Sequence, residues 1–191
     1  MEELNFDVVV VGGGPAGASA ARVAAKNGCT VALIEKEKEI AETVRTSGVT
    51  WISDIKEFEI PDECYNPIKK FSFCSPRNSV TISDKIAKAA VLDVRKTYRF
   101  LVKRAEKEGA SIFVNTNISK ILKNSDGVCT GAIGKSHEIE IQFNGKVIID
   151  ASGFTSIVAK ELGYVTQWKK FGVGAEFEVK TEKLEYDNWW L

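Results

Sequence analysis

The chain has one histidine, one methionine and four cysteines, and no two cysteines share the Cys-x-x-Cys spacing. A zinc site needs several such ligands close together, so that chemistry is not expected. Four scattered thiols, Cys29, Cys64, Cys74 and Cys129, suit a reducing cytoplasm better than a disulfide framework. At least three read as packing residues, although any one could serve as a redox or substrate-pocket thiol. Charge of one sign is missing too. The 26 basic and 26 acidic side chains cancel, and without a basic block no nucleic-acid partner is expected.

Long apolar runs are also absent: none approaches the ~20 residues of a membrane-spanning helix. The first residues, Met1-Glu2-Glu3-Leu4-Asn5, are acidic and run straight into an apolar stretch, unlike a secretory signal or a transit peptide. What is present is 191 residues, 44% of them hydrophobic. That is enough for one domain, or one and a fraction, with an ample core.

The most informative stretch is the first 35 residues. Phe6-Asp7-Val8-Val9-Val10-Val11 is an apolar, β-branched run suited to a strand buried on both faces of a parallel sheet. It opens onto Gly12-Gly13-Gly14-Pro15-Ala16-Gly17. An Ala-rich helix to Asn27, closed by Gly28, follows, and then a second strand, Thr30 to Ile34, ending in Glu35. Strand, glycine turn, helix, strand and acid stand in the order of a dinucleotide-binding βαβ unit. Gly12 permits the tight turn, Gly14 the approach of a pyrophosphate, and Gly17 close packing of helix on strand. Pro15 fits the first helical turn, where its missing N–H costs nothing, and the helix N-terminus attracts phosphate. A bare glycine turn could be only a tight loop, but here every flanking feature agrees. A carboxylate at Glu35 accepts both ribose hydroxyls and repels a 2′-phosphate, which points to FAD or NAD over NADP. Beyond it, the run from Lys36 to Glu39 reads as a solvated face.

Arg45, followed by the small-residue turn Ser47-Gly48, could reach a pyrophosphate and pass beside a flavin ring, or could be a surface arginine before an ordinary turn. Residues 61–70 read as loop. Phe71–Ser75 and Ser79–Ser83 alternate about Pro76-Arg77-Asn78 and predict a hairpin, the start of a second sheet. Asp93 to Glu108 predicts an amphipathic helix with Asp93 as N-cap and Gly109 as stop. Arg95 and Lys96 put positive charge in its first turn, against the helix dipole, so a nearby anion, with a flavin diphosphate or ribityl chain as candidate, or else solvent is expected, and solvent for Lys96.

Ser111–Asn115 reads as the third parallel strand. Runs at 118–123, 128–133 and 138–143, with turns at Asn124–Gly127 and Gly134–Ser136, predict an antiparallel meander, with His137 on a solvent-facing strand. The meander leads through Asn144-Gly145 into another buried strand, Lys146 to Asp150. Asp150-Ala151-Ser152-Gly153 opens onto a short helix from Ile157, a ligand-end arrangement in an α/β sheet. Alone it could be an Asx turn with a Ser or Thr cap. Paired with the glycine turn it predicts the opposite wall of one cofactor cleft. The stretch 171–180 predicts a further strand, and the aromatic residues Trp189 and Trp190 are expected to pack against something beyond them.

Gly12–Gly17 with Glu35, the Leu92-Asp93-Val94-Arg95 helix start, and Asp150-Ala151-Ser152-Gly153 through Ser156 together resemble the FAD-dependent geranylgeranyl reductase family, within the flavoproteins of p-hydroxybenzoate hydroxylase-like fold. The resemblance covers nearly the whole chain as the N-terminal portion of such a protein. It implies an α/β fold: a Rossmann-like FAD-binding parallel sheet with an antiparallel β-meander and the start of a substrate-side β-sheet. Residues 1–165 would form the FAD-binding domain, with the hairpin at 66–84 lending itself to the substrate-side sheet, and 166–191 would begin an incomplete substrate domain. Gly12, Gly13, Gly14, Pro15, Ala16 and Gly17 would hold the diphosphate. Glu35 and Lys36 would meet the adenosine half, and Arg45, Ser47, Gly48, Arg95, Asp150 and Gly153 the rest of the cofactor.

The reaction implied is hydride transfer from reduced flavin to C=C bonds of a polyprenyl group, with NADPH or a reduced ferredoxin as donor. The enzyme would be cytoplasmic, touching the membrane peripherally through its lipid substrate. Two departures stand out. Ser47-Gly48 replaces the Cys-Gly turn of many such reductases, and the later Gly-Asp flavin motif of relatives is absent. A missing C-terminal half, in cis or as a partner chain, is therefore expected. The competing readings are a flavin-dependent aromatic monooxygenase or halogenase, and a non-catalytic nucleotide-binding half-module.

Overall fold

The computed structural model describes residues 2–164, 170, 172–175, 177 and 186–191. In chain order, β1 (Glu2–Val11), α1 (Pro15–Lys26) and β2 (Val31–Ile34) come first. Next are β3 (Val49–Trp51), α2 (Ile52–Glu57), β4 (Tyr65–Ile68), β5 (Lys70–Cys74), β6 (Ser79–Ser83) and β7 (Ala89–Leu92). Then run α3 (Val94–Lys107), β8 (Ser111–Phe113), β9 (Asn117–Lys123), β10 (Cys129–Ser136), β11 (Ile139–Asp150), α4 (Ile157–Glu161) and β12 (Asn188–Trp190). They fall into two compact units, Met1–Thr43 with Tyr98–Phe171, and Val44–Thr97 with Gly172–Leu191.

The first unit holds a six-stranded sheet of order β8-β2-β1-β11-β10-β9. β1 lies parallel to β2 and β11, and β2 parallel to β8. Val8–Val11 and Val31–Ile34 are buried throughout, as their unbroken apolar runs require. Val9, Val11, Ala32 and Ile34 join a core with Ile118, Ile121, Ala132, Phe143 and Val158. Pleat alternation leaves Val8, Val10, Val31 and Leu33 for the opposite face, and α1 packs on β1 and β2 through its buried Gly17, Ala18, Ala21 and Ala25. β9, β10 and the start of β11 form the expected antiparallel meander.

Two glycines expected between strands, Gly134 in a turn and Gly145 in a link, lie inside strands instead. Gly145 lies inside β11, which continues for 12 residues, antiparallel to β10 at its start and parallel to β1 along its length. A Cβ at Gly145 would stand 2.9 Å from Val9 Cγ2, so the glycine answers to packing rather than to a turn. Gly134 likewise sits within β10, where a Cβ would meet Thr116 Cγ2 at 2.7 Å and the Phe143 ring at 3.1 Å. The reversal comes later, at exposed His137 with φ +52°. This histidine therefore occupies a turn, not a strand, and its Nε2 lies 3.0 Å from Asn115 Nδ2.

The second unit contains two three-stranded sheets, β3-β7-β4 and β12-β5-β6. The β5–β6 hairpin has the expected form, with Phe71 opposite Ile82. Residues 61–70, expected as loop, include β4, an edge strand on which exposed Pro67 is tolerated. β7 is short and built on Ala89 and Ala90, too weak a pattern to read as a strand. Trp189 packs edge-on against Phe71, ring centres 5.9 Å apart, whereas Trp190 is exposed. The strand expected over 171–180 falls largely outside the described residues.

Candidate cofactor site

In the register of β1 and β11, Val11 stands opposite Asp150. Both glycine-bearing turns therefore leave the sheet side by side, at the carboxyl ends of adjacent parallel strands. The chain returns from β1 through α1 to β2 on one side and passes from β11 into α4 on the other. A switch point of this kind is where open α/β sheets bind ligands. The two turns touch rather than face each other as opposite walls: Ala151 N–H donates to the Val11 carbonyl at 2.9 Å, and Gly12 packs directly on Ala151.

The glycines of the first turn divide into two kinds. Gly12 has φ +113°, and a Cβ there would stand 2.3 Å from the Ala151 carbonyl oxygen. A Cβ on Gly17 would lie 1.9 Å from the Gly12 carbonyl oxygen. These two glycines hold turn, helix and second motif together. Gly14 differs, because nothing among the described residues lies within 4 Å of where its Cβ would be. It is the N-cap of α1, followed by Pro15 at the first helical position, and neither a capping side chain nor an acidic residue occupies the first turn. The leading N–H groups of a helix have no intrahelical acceptor, so an open, uncapped helix end faces the space beside Gly14.

Glu35 closes β2 and is half-buried. Its Oε2 accepts the Gly13 N–H at 2.7 Å and its Oε1 the Glu37 N–H at 2.9 Å. The acid at the end of the second strand is thereby tied to the glycine turn, with each oxygen keeping a lone pair for a ligand hydroxyl. Against Gly13 also lies Ile40, whose Cδ1 is 2.8 Å from the position of a Gly13 Cβ. Nothing in the sequence pattern marks Ile40, since its role depends on how the loop after β2 folds back.

Asp150 is turned inward on its own motif. Its Oδ1 accepts from the Ser152 N–H and hydroxyl, and its Oδ2 from the Ala159 N–H at 2.8 Å. Ser152 Oγ accepts in turn from the Ile157 N–H at 2.8 Å. Burial alone would raise the Asp150 pKa, but hydrogen bonds from the Ser152 hydroxyl and the Ala159, Ser152 and Val158 amides outweigh it and hold the carboxyl below its usual range. The aspartate is an Asx-type organiser of the turn and of α4. Gly153, at φ +64°, is exposed with open space around it.

Lys36 is exposed beside Glu35. Arg45, Ser47, Gly48 and Arg95 belong to the second unit. Arg45 and Ser47 are exposed, whereas Gly48 is buried at φ +74° with its Cβ position 2.8 Å from the Leu92 carbonyl oxygen. There the Ser-Gly turn is built against the strand that leads into α3. The anion beside the first turn of that helix is its own N-cap: Asp93 Oδ1 accepts the Lys96 N–H at 3.0 Å and Oδ2 pairs with Lys96 Nζ at 3.2 Å. Lys96 therefore has a local partner rather than only solvent. Among the cysteines, Cys64 is buried, and burial pushes its thiol pKa up, as for a packing residue.

The family model of FAD dependent oxidoreductases matches residues 7–169. The chain belongs to this FAD-dependent oxidoreductase family. It is 37% identical over 171 residues to the digeranylgeranylglycerophospholipid reductase of Methanocella arvoryzae, a match covering 86% of this chain and 43% of that protein. A second relative, an uncharacterized protein in the nifH2 5′ region of Methanosarcina barkeri, is 32% identical over 84% of this chain and 89% of its own length. Among solved structures, a geranylgeranyl bacteriochlorophyll reductase-like protein from Thermoplasma acidophilum superposes with TM-score 0.72 at 29% identity, covering 80% of this chain and 40% of that one. The chain thus spans less than half the length of the reductases it matches.

The family's cofactor, FAD, suits what the nucleotide end of this chain presents. A side chain at Gly14 would fill open space over the helix N-terminus, the place a pyrophosphate takes in such folds. Glu35 is fixed in place with acceptor capacity to spare. Both features fit the adenosine diphosphate half of the cofactor.

Proposed function

We propose that this chain grips the adenosine diphosphate end of FAD as part of an enzyme that reduces C=C bonds of a polyprenyl group in isoprenoid lipid biosynthesis. The observation that carries the nucleotide reading is the open, uncapped helix end at Gly14 beside the tethered carboxylate of Glu35. The polyprenyl reading is supported by the 37% identity to a reductase of digeranylgeranylglycerophospholipid.

In this reading Gly12, Gly13 and Gly17 shape the turn, and the N–H groups following Gly14 and Pro15 take the diphosphate. Glu35 accepts the ribose hydroxyls, with Lys36 at the rim. Ser152 to Ser156, organised by Asp150 and opened by Gly153, continue the same edge of the sheet. Arg45, the Ser47-Gly48 turn and Arg95 serve the remainder of the cofactor. Bound flavin supplies the hydride chemistry, and the protein's part is orientation and exclusion of water. NADPH or a reduced ferredoxin would be the electron donor. The rest of the reductase, in cis or as a partner chain, would complete the lipid cavity, and the lipid would bring a cytoplasmic enzyme to the membrane surface.

The test is the visible spectrum of the purified chain after incubation with FAD and desalting. Retained flavin bands are expected, and a colourless protein overturns the nucleotide reading. For the reaction, a geranylgeranyl lipid incubated with the reduced flavoprotein should gain two hydrogens per double bond by mass spectrometry. Oxygen consumption stimulated by an aromatic compound, with no gain of hydrogen on the lipid, would instead favour a monooxygenase or halogenase.

A further inference from the structure

The loop after β2, residues 36–43, is fastened to its surroundings at several points. Asn115 N–H donates to the Glu37 carbonyl at 2.7 Å, and the Thr43 N–H to the Glu37 carboxylate at 3.0 Å. The Lys38 N–H donates to Glu42 Oε2 at 3.0 Å. One fastening comes from far away in sequence. Arg99, on α3, places a guanidinium nitrogen 2.5 Å from Glu39 Oε2 and donates Nε–H to the Ile40 carbonyl at 3.2 Å. Next along the loop, Ala41 has φ +57°, a left-handed conformation an alanine adopts only when its neighbours hold it.

Ile40 is the residue through which this matters. Its side chain ends against Gly13, where Glu35 Cβ and Oε2 also lie 3.1 Å from the position of a Gly13 Cβ. Ile40 and the Glu35 carboxylate thus flank the same glycine. Displacing the Ile40 backbone moves the side chain that backs Gly13, whose N–H holds Glu35, the residue assigned to the ribose.

We propose that Arg99 is a positioning residue for adenine-nucleotide binding, holding Ile40 against Gly13 so that Glu35 is presented in one orientation. This rests on the nucleotide reading above. An arginine suits the task because its planar fork engages a carboxylate and a backbone carbonyl at once, which a lysine's point charge does not reproduce. The side chains of Arg99 and Glu39 are 51% and 67% exposed, and exposed ion pairs add little to folding stability. The consequence of losing Arg99 therefore falls on the ligand, not on the fold.

The test uses the full chain with ADP as the probe, measured by titration calorimetry beside the melting temperature of ligand-free protein. Arg99→Met keeps the aliphatic stem and removes the fork. It is expected to raise the ADP Kd roughly fivefold, equivalent to about 1 kcal/mol, with the ligand-free melting temperature nearly unchanged. Lys103→Met, on the same helix, should change neither. In an Ile40→Ala background, Arg99→Met should have little further effect, because contacting residues that act through one another are non-additive. A parallel fall in melting temperature and affinity, or full additivity with Ile40→Ala, would reduce Arg99 to a structural residue and overturn the proposal. Should Arg99→Met prove too unstable to assay, Glu39→Gln is the second variant, with a smaller loss of affinity expected and an unchanged Kd counting against the idea. If wild-type protein binds neither ADP nor FAD, the nucleotide reading itself fails and the positioning role fails with it. If wild type binds and Arg99→Met binds equally well, only the positioning role fails.

Discussion

At the scale of single residues, the glycines of one turn carry two kinds of constraint, and substitution should separate them. Gly14→Val places its side chain in open space at a helix cap. The fold should lose about 1 kcal/mol or less, the usual scale for a changed N-cap, while FAD retention after desalting disappears. Gly17→Ala forces a methyl group to 1.9 Å from the Gly12 backbone carbonyl oxygen. Destabilisation of at least about 3 kcal/mol in urea titrations is expected, the upper end of overpacking. If Gly14→Val keeps its flavin, the pyrophosphate does not lie where the open space suggests.

Asp150 gives a prediction in pH. Its folded pKa is lowered, so its contribution is fully present above the unfolded aspartate value of about 3.9 and fades as pH falls through the lower folded value. Asp150→Asn should therefore be less stable than wild type at pH 7, and the gap should narrow below about pH 4. A gap independent of pH would mean that the loss comes from shape alone.

The next scale is the element. What could be read from the sequence here was whatever depended on local periodicity. The runs Val8–Val11 and Val31–Ile34, the heptad-like face of α3 and the alternation of β5 and β6 each announced an element that the structure contains. Features set by contacts between distant segments were not legible. Gly134 and Gly145 have no local pattern that explains them, and only Thr116 and Phe143 beside the first and Val9 beside the second show why a side chain there would crowd its neighbours. β7 and β4 have little pattern of their own and exist because they pair with each other. In the site, the glycine turn and Glu35 were legible because spacing defines them. Ile40 and Arg99 were not, because 59 residues separate them.

The same scale supplies a test of α3. Asp93 accepts the Lys96 N–H and pairs with the Lys96 ammonium, so the helix supplies its own compensation for a cationic first turn. Asp93→Ala should cost about 1 kcal/mol in equilibrium unfolding, the loss of a good N-cap. If stability is unchanged, the cap is satisfied by water and the carboxylate has another role.

For the whole molecule, the division into units separates the parts of the proposed site. The glycine turn, Glu35 and Asp150 belong to the first unit, and Arg45, Ser47, Gly48 and Arg95 to the second. In the proposed reading the adenosine diphosphate end calls on residues of the first unit alone. ADP should therefore raise the melting temperature by itself, and FMN, which lacks that end, should not. At a ligand concentration of about 100 Kd the stabilisation is about 2.7 kcal/mol. For a chain of this size that corresponds to roughly 5–10 °C. Because Glu35 faces the ribose in this reading, 2′-phosphorylated ADP should give little of that shift, since a carboxylate repels the added phosphate. Equal shifts from ADP and its 2′-phosphate would remove Glu35 from the ribose site, and a shift from FMN alone would move the principal grip from the first unit to the second.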